Sequence, residues 1–136
     1  MTVVLVDAAN VVGSRPDGWW RDRAGATTRL LQRLTGLSGQ TPTGPDGAPV
    51  PVTAVVAVVE GQARAARAPD GLRVVRADGS GDDALATVAA DLADGDDELL
   101  VVTADRGLRA RLPAAARVAG PGWLLAAAAD RQRVPR

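Results

Sequence analysis

The chain has 136 residues, 46% hydrophobic and 24% charged, a size and balance that suit one compact domain with a real core. Sixteen basic residues offset sixteen acidic ones, so the formal net charge is zero and any nucleic-acid binding needs a local basic face. With no His, Cys, Lys or Tyr, the chain excludes a histidine base, a thiolate nucleophile, a Schiff-base lysine, a disulfide framework and the usual zinc ligands.

Val3 to Val6 is a short apolar run suited to a strand buried on both faces, and Asp7 follows it. Asn10 to Gly18 has the composition of a loop. From about Arg21 to Leu37, Ala24, Thr27, Leu30, Leu31 and Leu34 recur at helical spacing, with Arg29 and Arg33 on another face. Residues 36–51 are rich in Gly, Pro, Thr and Ser and long for a connection within a domain, which predicts a mobile lid or a disposable insertion.

Val52 to Val59 is the second strand, ending at Glu60, and Gln62 to Arg67 is a short helical piece. Leu72 to Arg76 gives a third strand, and a helix runs from about Asp82 to Ala93. Leu99 to Thr103 is the fourth strand, with Asp105 just beyond it and a helix from Arg106 to Leu112. Ala116 to Ala119 forms a weak fifth strand, and Pro121 opens a closing Ala-rich helix, where its missing N–H costs nothing. Alternating strands and helices predict an α/β fold: a single domain over 1–136, built as a three-layer sandwich on a parallel five-stranded sheet.

In such sheets ligands gather outside the carboxyl ends of the strands, near the reversal of strand order. Asp7, Glu60 and Asp105 fall at that edge. With the order 3-2-1-4-5, the first and fourth strands are neighbours, so Asp7 and Asp105 face each other across the crevice. Asp82 and Asp83 enter it from the first turn of their helix. Several like charges remain ionised together only beside something positive, and carboxylate ligands suit Mg²⁺ or Mn²⁺. A single Asp after a strand is commonly a turn or helix cap; three or four at one edge favour chemistry. Ser80 followed by Asp82 and Asp83 also reads as a helix cap, and only one of the two acids points squarely at the cleft.

Asn10, the only Asn, and Thr103 are candidate supporting groups that orient water or touch a phosphate, or else satisfy local backbone groups. Trp19 and Trp20 stand among Arg15, Arg21 and Arg23; interleaved rings and cations can bind a nucleic-acid strand, but packing before the helix is the favoured reading, because large rings usually bury much of their area. Arg15, Trp20, Arg64 and Arg106 are the candidate RNA contacts, with Arg67, Arg109 and Arg111 also able to rim the cleft. Asp94, Asp96, Asp97 and Glu98 mark a surface turn at the opposite end of the fourth strand.

Taken in order, Val3 to Asn10, Val58 to Gly61, Asp83 to Ala86 and Val101 to Leu108 resemble the motifs of the NYN branch of PIN-like nuclease domains. The resemblance implies the 3-2-1-4-5 sheet and a Mg²⁺- or Mn²⁺-dependent ribonuclease in which activated water attacks an RNA phosphodiester. It implies Asp7, Asp83 and Asp105 as catalytic metal-binding acids, Glu60 or Asp82 as a further ligand, and Asn10 and Thr103 as assistants. RNA is the implied partner, and because related small domains often pair, a homodimer is a second expectation. A non-catalytic RNA- or protein-binding module of the same fold and a nucleotide pyrophosphohydrolase are the alternatives. A receiver-type domain needs a late Lys, a haloacid-dehalogenase-type phosphatase needs Asp-x-Asp after the first strand, and the Gly79-x-Gly81 pair lacks the third dinucleotide-binding glycine. The amino terminus shows no secretory pattern and no run approaches a membrane span, so a cytoplasmic location without a membrane partner is expected.

Overall fold

A computed structural model describes residues 1–132. Five parallel strands form one sheet in the order β3-β2-β1-β4-β5, where β1 is Thr2–Asp7, β2 Val52–Val59, β3 Arg73–Arg76, β4 Glu98–Val102 and β5 Arg117–Ala119. The order is that of a PIN-like α/β sandwich. Five helices complete it: α1 Ala8–Gly13, α2 Arg23–Leu34, α3 Gly81–Ala93, α4 Arg106–Arg109 and α5 Pro121–Gln132.

The two-residue period of a strand sends alternate side chains to opposite faces, and here both faces are covered. Val4 and Val6 of β1, Ala57 and Val59 of β2, and Leu100 and Val102 of β4 join Leu30, Leu31 and Leu34 of α2 and Leu124 of α5 in one core. Leu5, Val56, Val58, Leu99 and Val101 pack on the other face against Leu85, Val88 and Ala89 of α3 and Leu108 of α4. Burying each such Leu or Val contributes about 1.5–3 kcal/mol relative to leaving it exposed.

Two segments differ from the sequence expectation. The stretch expected as a loop from Asn10 begins inside a helix: Asp7 caps α1, whose Ala8, Val11 and Val12 at positions i, i+3 and i+4 are buried. The turn composition after Gly13 hides this short apolar stripe. Residues 36–51 are integrated into the fold. Leu37 and Val50 are fully buried, Gly39 N–H donates to Val52 O, and Thr43 bridges Pro49. Thr2 N–H donates to Pro51 O, Asp46 pairs with Arg117, and the Trp123 indole donates to Thr43 O. The segment is anchored at the amino ends of β1, β2 and β5, while the acids lie at the carboxyl ends.

Candidate active site

Continuing the strand alternation places the acids. Leu5 faces the α3 layer, so Asp7, two residues on, faces it too; Val58 and Glu60 repeat the relation on β2. The parallel register sets Asp7 level with Val58 and Val6 level with Val102. Three strand ends therefore deliver acids to one edge, and α3 opens over it.

Asp7 and Asp105 are tied to local backbone. Asp7 accepts Asn10 N–H through Oδ1 at 3.4 Å and the Thr103 hydroxyl through Oδ2 at 3.0 Å. Thr103, 1% exposed, in turn accepts Asp105 N–H at 3.1 Å, so one hydroxyl joins the ends of β1 and β4. Asn10 Oδ1 accepts Ala104 N–H at 2.7 Å and stitches α1 to the same loop. Asp105 caps α4 by accepting Leu108 N–H through Oδ1 at 3.0 Å, which leaves its second oxygen for a ligand.

Glu60 accepts the N–H of Gly81, the first residue of α3. A side chain at Gly81 would occupy the position of the Glu60 carboxylate, so glycine is what lets the helix start approach the end of β2. Gly61 adopts a φ of 57°, turning the chain away immediately beyond Glu60.

Asp82 and Asp83 divide as neighbours on a helix must. Ser80 caps α3 by accepting Asp83 N–H, as the capping reading predicts. The Asp83 carboxylate is exposed and pairs with Arg111 at 2.8 Å. Asp82 makes no side-chain hydrogen bond or salt bridge among the described residues and feels the charges of Asp105 and Glu60. Burial first, and then those two carboxylates, push Asp82 above the ordinary carboxylate range, against the pull of Arg111. Asp7 is also raised, chiefly by burial; the bonds from Thr103 and Asn10 lower it, and the charges of Asp82 and Glu60 add to the rise. Asp7, Glu60, Asp82 and Asp105 thus form one electrostatic group, and Asp83 faces its rim. Among the described residues, no three acidic side chains close on a single point as a preformed metal cage.

The candidate RNA contacts are dispersed. Trp20 is 56% exposed with Arg21 over its ring, and Arg106 is exposed in the first turn of α4 beside Asp105. Arg15 pairs with Asp17 at 3.5 Å, and Arg64 donates to Ala77 O at 3.4 Å. Trp19, in the 3-10 turn Trp19–Arg21, packs on the core and lines a cavity beside Glu60 that also holds Arg23. The sequence favours packing over nucleic-acid stacking for this ring; its place before a capped helix gives no sign of the cavity. No described helix is long and apolar enough to cross a membrane.

No protein-family model matches the chain, and no curated protein matches it in sequence. Among solved structures it is similar to Rae1 (YacP) from Bacillus subtilis. The crystal structure of the W164L mutant of that protein aligns at a TM-score of 0.74 and 17% identity, covering 98% of this chain and 78% of the other. A second crystal structure of Rae1 aligns at 0.71 and 16% identity, covering 98% and 76%. At this identity the likeness establishes a shared PIN-like fold across nearly the whole chain, and the chemistry rests on the residues at the strand ends.

Proposed function

We propose that this protein is a divalent-metal-dependent ribonuclease that hydrolyses RNA phosphodiester bonds. The observation that carries the reading is the gathering of Asp7, Glu60, Asp82 and Asp105, from four separate stretches of chain, into one crevice where their charges act on each other. An all-oxygen donor set under mutual repulsion fits a hard cation, Mg²⁺ or Mn²⁺. Asp7, Glu60 and Asp105, each fixed by a backbone or hydroxyl donor, would hold it partly through water, since no three of the described acids close on a single point. Such an ion lowers the pKa of water and neutralises charge on a phosphate oxygen.

The chain's own groups supply the rest. Asp82, raised and without a hydrogen-bond partner, is the carboxylate best suited to take a proton from attacking water. In the pair left open by the sequence, it therefore takes the role and Asp83 serves to hold Arg111. Thr103 and Asn10 are positioning residues that keep the β1 and β4 ends in register. Arg106 and Arg111 on the rim offset the charge of an incoming RNA backbone.

The test is cleavage of a panel of single-stranded and structured RNAs with Mn²⁺, comparing wild type with Asp7→Asn and Asp105→Asn. Activity lost in both variants, with circular dichroism unchanged, supports hydrolysis at this crevice. Equal activity in wild type and variants refutes it.

A further inference from the structure

Next to the acids lies a cavity of about 320 Å³, lined by Val12, Trp19, Arg23, Glu60, Gly61 and Ala63 among others. We infer that this cavity is a subsite for one unstacked nucleobase of a single-stranded RNA, adjoining the position of the scissile phosphate. The inference rests on the ribonuclease reading and deepens it by naming the substrate class.

Four observations meet here. Glu60 belongs to both the acidic crevice and the cavity wall, so a strand crossing the acids has the cavity at hand. The wall is apolar on the Val12 and Ala63 side, and both residues are nearly fully buried, which suits a flat base that sheds water. The guanidinium carbon of Arg23 lies 5.2 Å from the Trp19 ring centroid, so a ring and a planar cation border the same space. Arg23 is exposed and makes no salt bridge among the described residues, leaving its charge available to the nucleotide's phosphate.

Base recognition of this kind needs a nucleotide that has left the stack. In A-form duplex RNA the bases are paired and stacked, whereas single strands splay bases onto aromatic rings and arginine planes. The cavity therefore selects single-stranded segments, and the acidic crevice acts on the phosphate next to the captured base. Trp20, outside the cavity, is a peripheral contact.

The experiment is fluorescence anisotropy with a short labelled single-stranded RNA in EDTA, where binding is read without cleavage. It is repeated with an abasic version of the same RNA, with its duplex, and with Trp19→Ala, Trp19→Phe and Trp20→Ala. Loss of one stacked base predicts binding weaker by about 5- to 100-fold for Trp19→Ala and for the fully abasic strand. Trp19→Phe retains most of the affinity, Trp20→Ala loses less than Trp19→Ala, and the duplex binds more weakly than the single strand. Equal binding of intact and abasic RNA by the wild-type protein overturns the subsite, and that comparison needs no variant to fold. Base-dependent binding in EDTA without cleavage in Mn²⁺ sinks the ribonuclease reading while the subsite stands; cleavage without base dependence does the reverse.

Discussion

Thr103→Val probes the hydroxyl that joins the ends of β1 and β4. Valine matches threonine in shape, so the buried site keeps its packing and loses only polarity. Two bonds go: the donation to the Asp7 carboxylate and the acceptance of Asp105 N–H. A hydrogen bond to a charged group contributes about 1.5–3 kcal/mol, and one between neutral groups about 0.5–1.5 kcal/mol. The variant should therefore lose roughly 2–4 kcal/mol at neutral pH. For a chain of this length that corresponds to a Tm lower by roughly 6–20 °C. The deficit has a definite pH dependence. The Thr103 hydroxyl favours ionised Asp7, so its removal leaves Asp7 raised further, and the part of the loss that comes from this bond is felt where Asp7 is charged, while the part from the Asp105 N–H bond persists at all pH. Thermal unfolding followed by circular dichroism across the acid-to-neutral range should show the gap to wild type narrowing in acid. Thr103→Ser, which keeps both bonds and sheds one methyl, should lose only about 1 kcal/mol with no such slope. A Thr103→Val protein as stable as Thr103→Ser, with a gap independent of pH, would refute the role assigned to the hydroxyl.

Asp7→Asn tests the burial of a charge. Because the folded-state pKa of Asp7 is raised, its favourable contribution is complete below the ordinary range near ~4 and is lost as pH rises through the folded value. The variant should melt above wild type at neutral pH and converge with it in acid; a lower Tm throughout would contradict the electrostatic picture. Asp82→Asn should reduce Mn²⁺-dependent RNA cleavage by at least about 100-fold, as expected for a lost proton acceptor, whereas Asp83→Asn should cost less than about 10-fold; reversed effects would assign the cleft to Asp83. Gly81→Ala should displace the Glu60 carboxylate, a flexible end that moves cheaply, so Tm falls by only a few degrees while Mn²⁺ affinity measured by calorimetry drops several-fold. Unchanged affinity would remove Glu60 from the metal site. Adding Mg²⁺ or Mn²⁺ should raise the wild-type Tm through preferential binding to the folded state, and EDTA should reverse it; an Asp7→Asn/Asp105→Asn protein showing the same rise would place the binding elsewhere.

Much of this architecture is written in local pattern. Apolar β-branched runs such as Val52 to Val59 suit strands buried on both faces, and the periodicity of Leu30, Leu31 and Leu34 suits α2; each signal depends on near neighbours alone. Alternation of the two elements then limits the sheet to parallel crossovers, and strand ends become the natural edge for acids. Helix α1 escaped because six residues beside a Gly- and Pro-rich loop carry too short a stripe to outweigh composition. Residues 36–51 escaped because Leu37 and Val50 are isolated apolar residues in a polar stretch, and their burial depends on contacts from elsewhere in the chain.

The sequence by itself determined the chemistry available: carboxylates and arginines, no imidazole, thiol or amine side chain, and acids at three strand ends. Only the tertiary structure separates Asp82 from Asp83, which are adjacent in the chain: Asp105 and Glu60 are the charges that act most on the first, and the second is ion-paired with Arg111. It alone showed that a single threonine hydroxyl couples Asp7 to Asp105 and that Trp19 borders a cavity reaching Glu60. Local pattern fixes which face a side chain occupies, but the shift of a carboxylate and the shape of a cavity come from groups distant in sequence, which meet only when the strands are laid side by side.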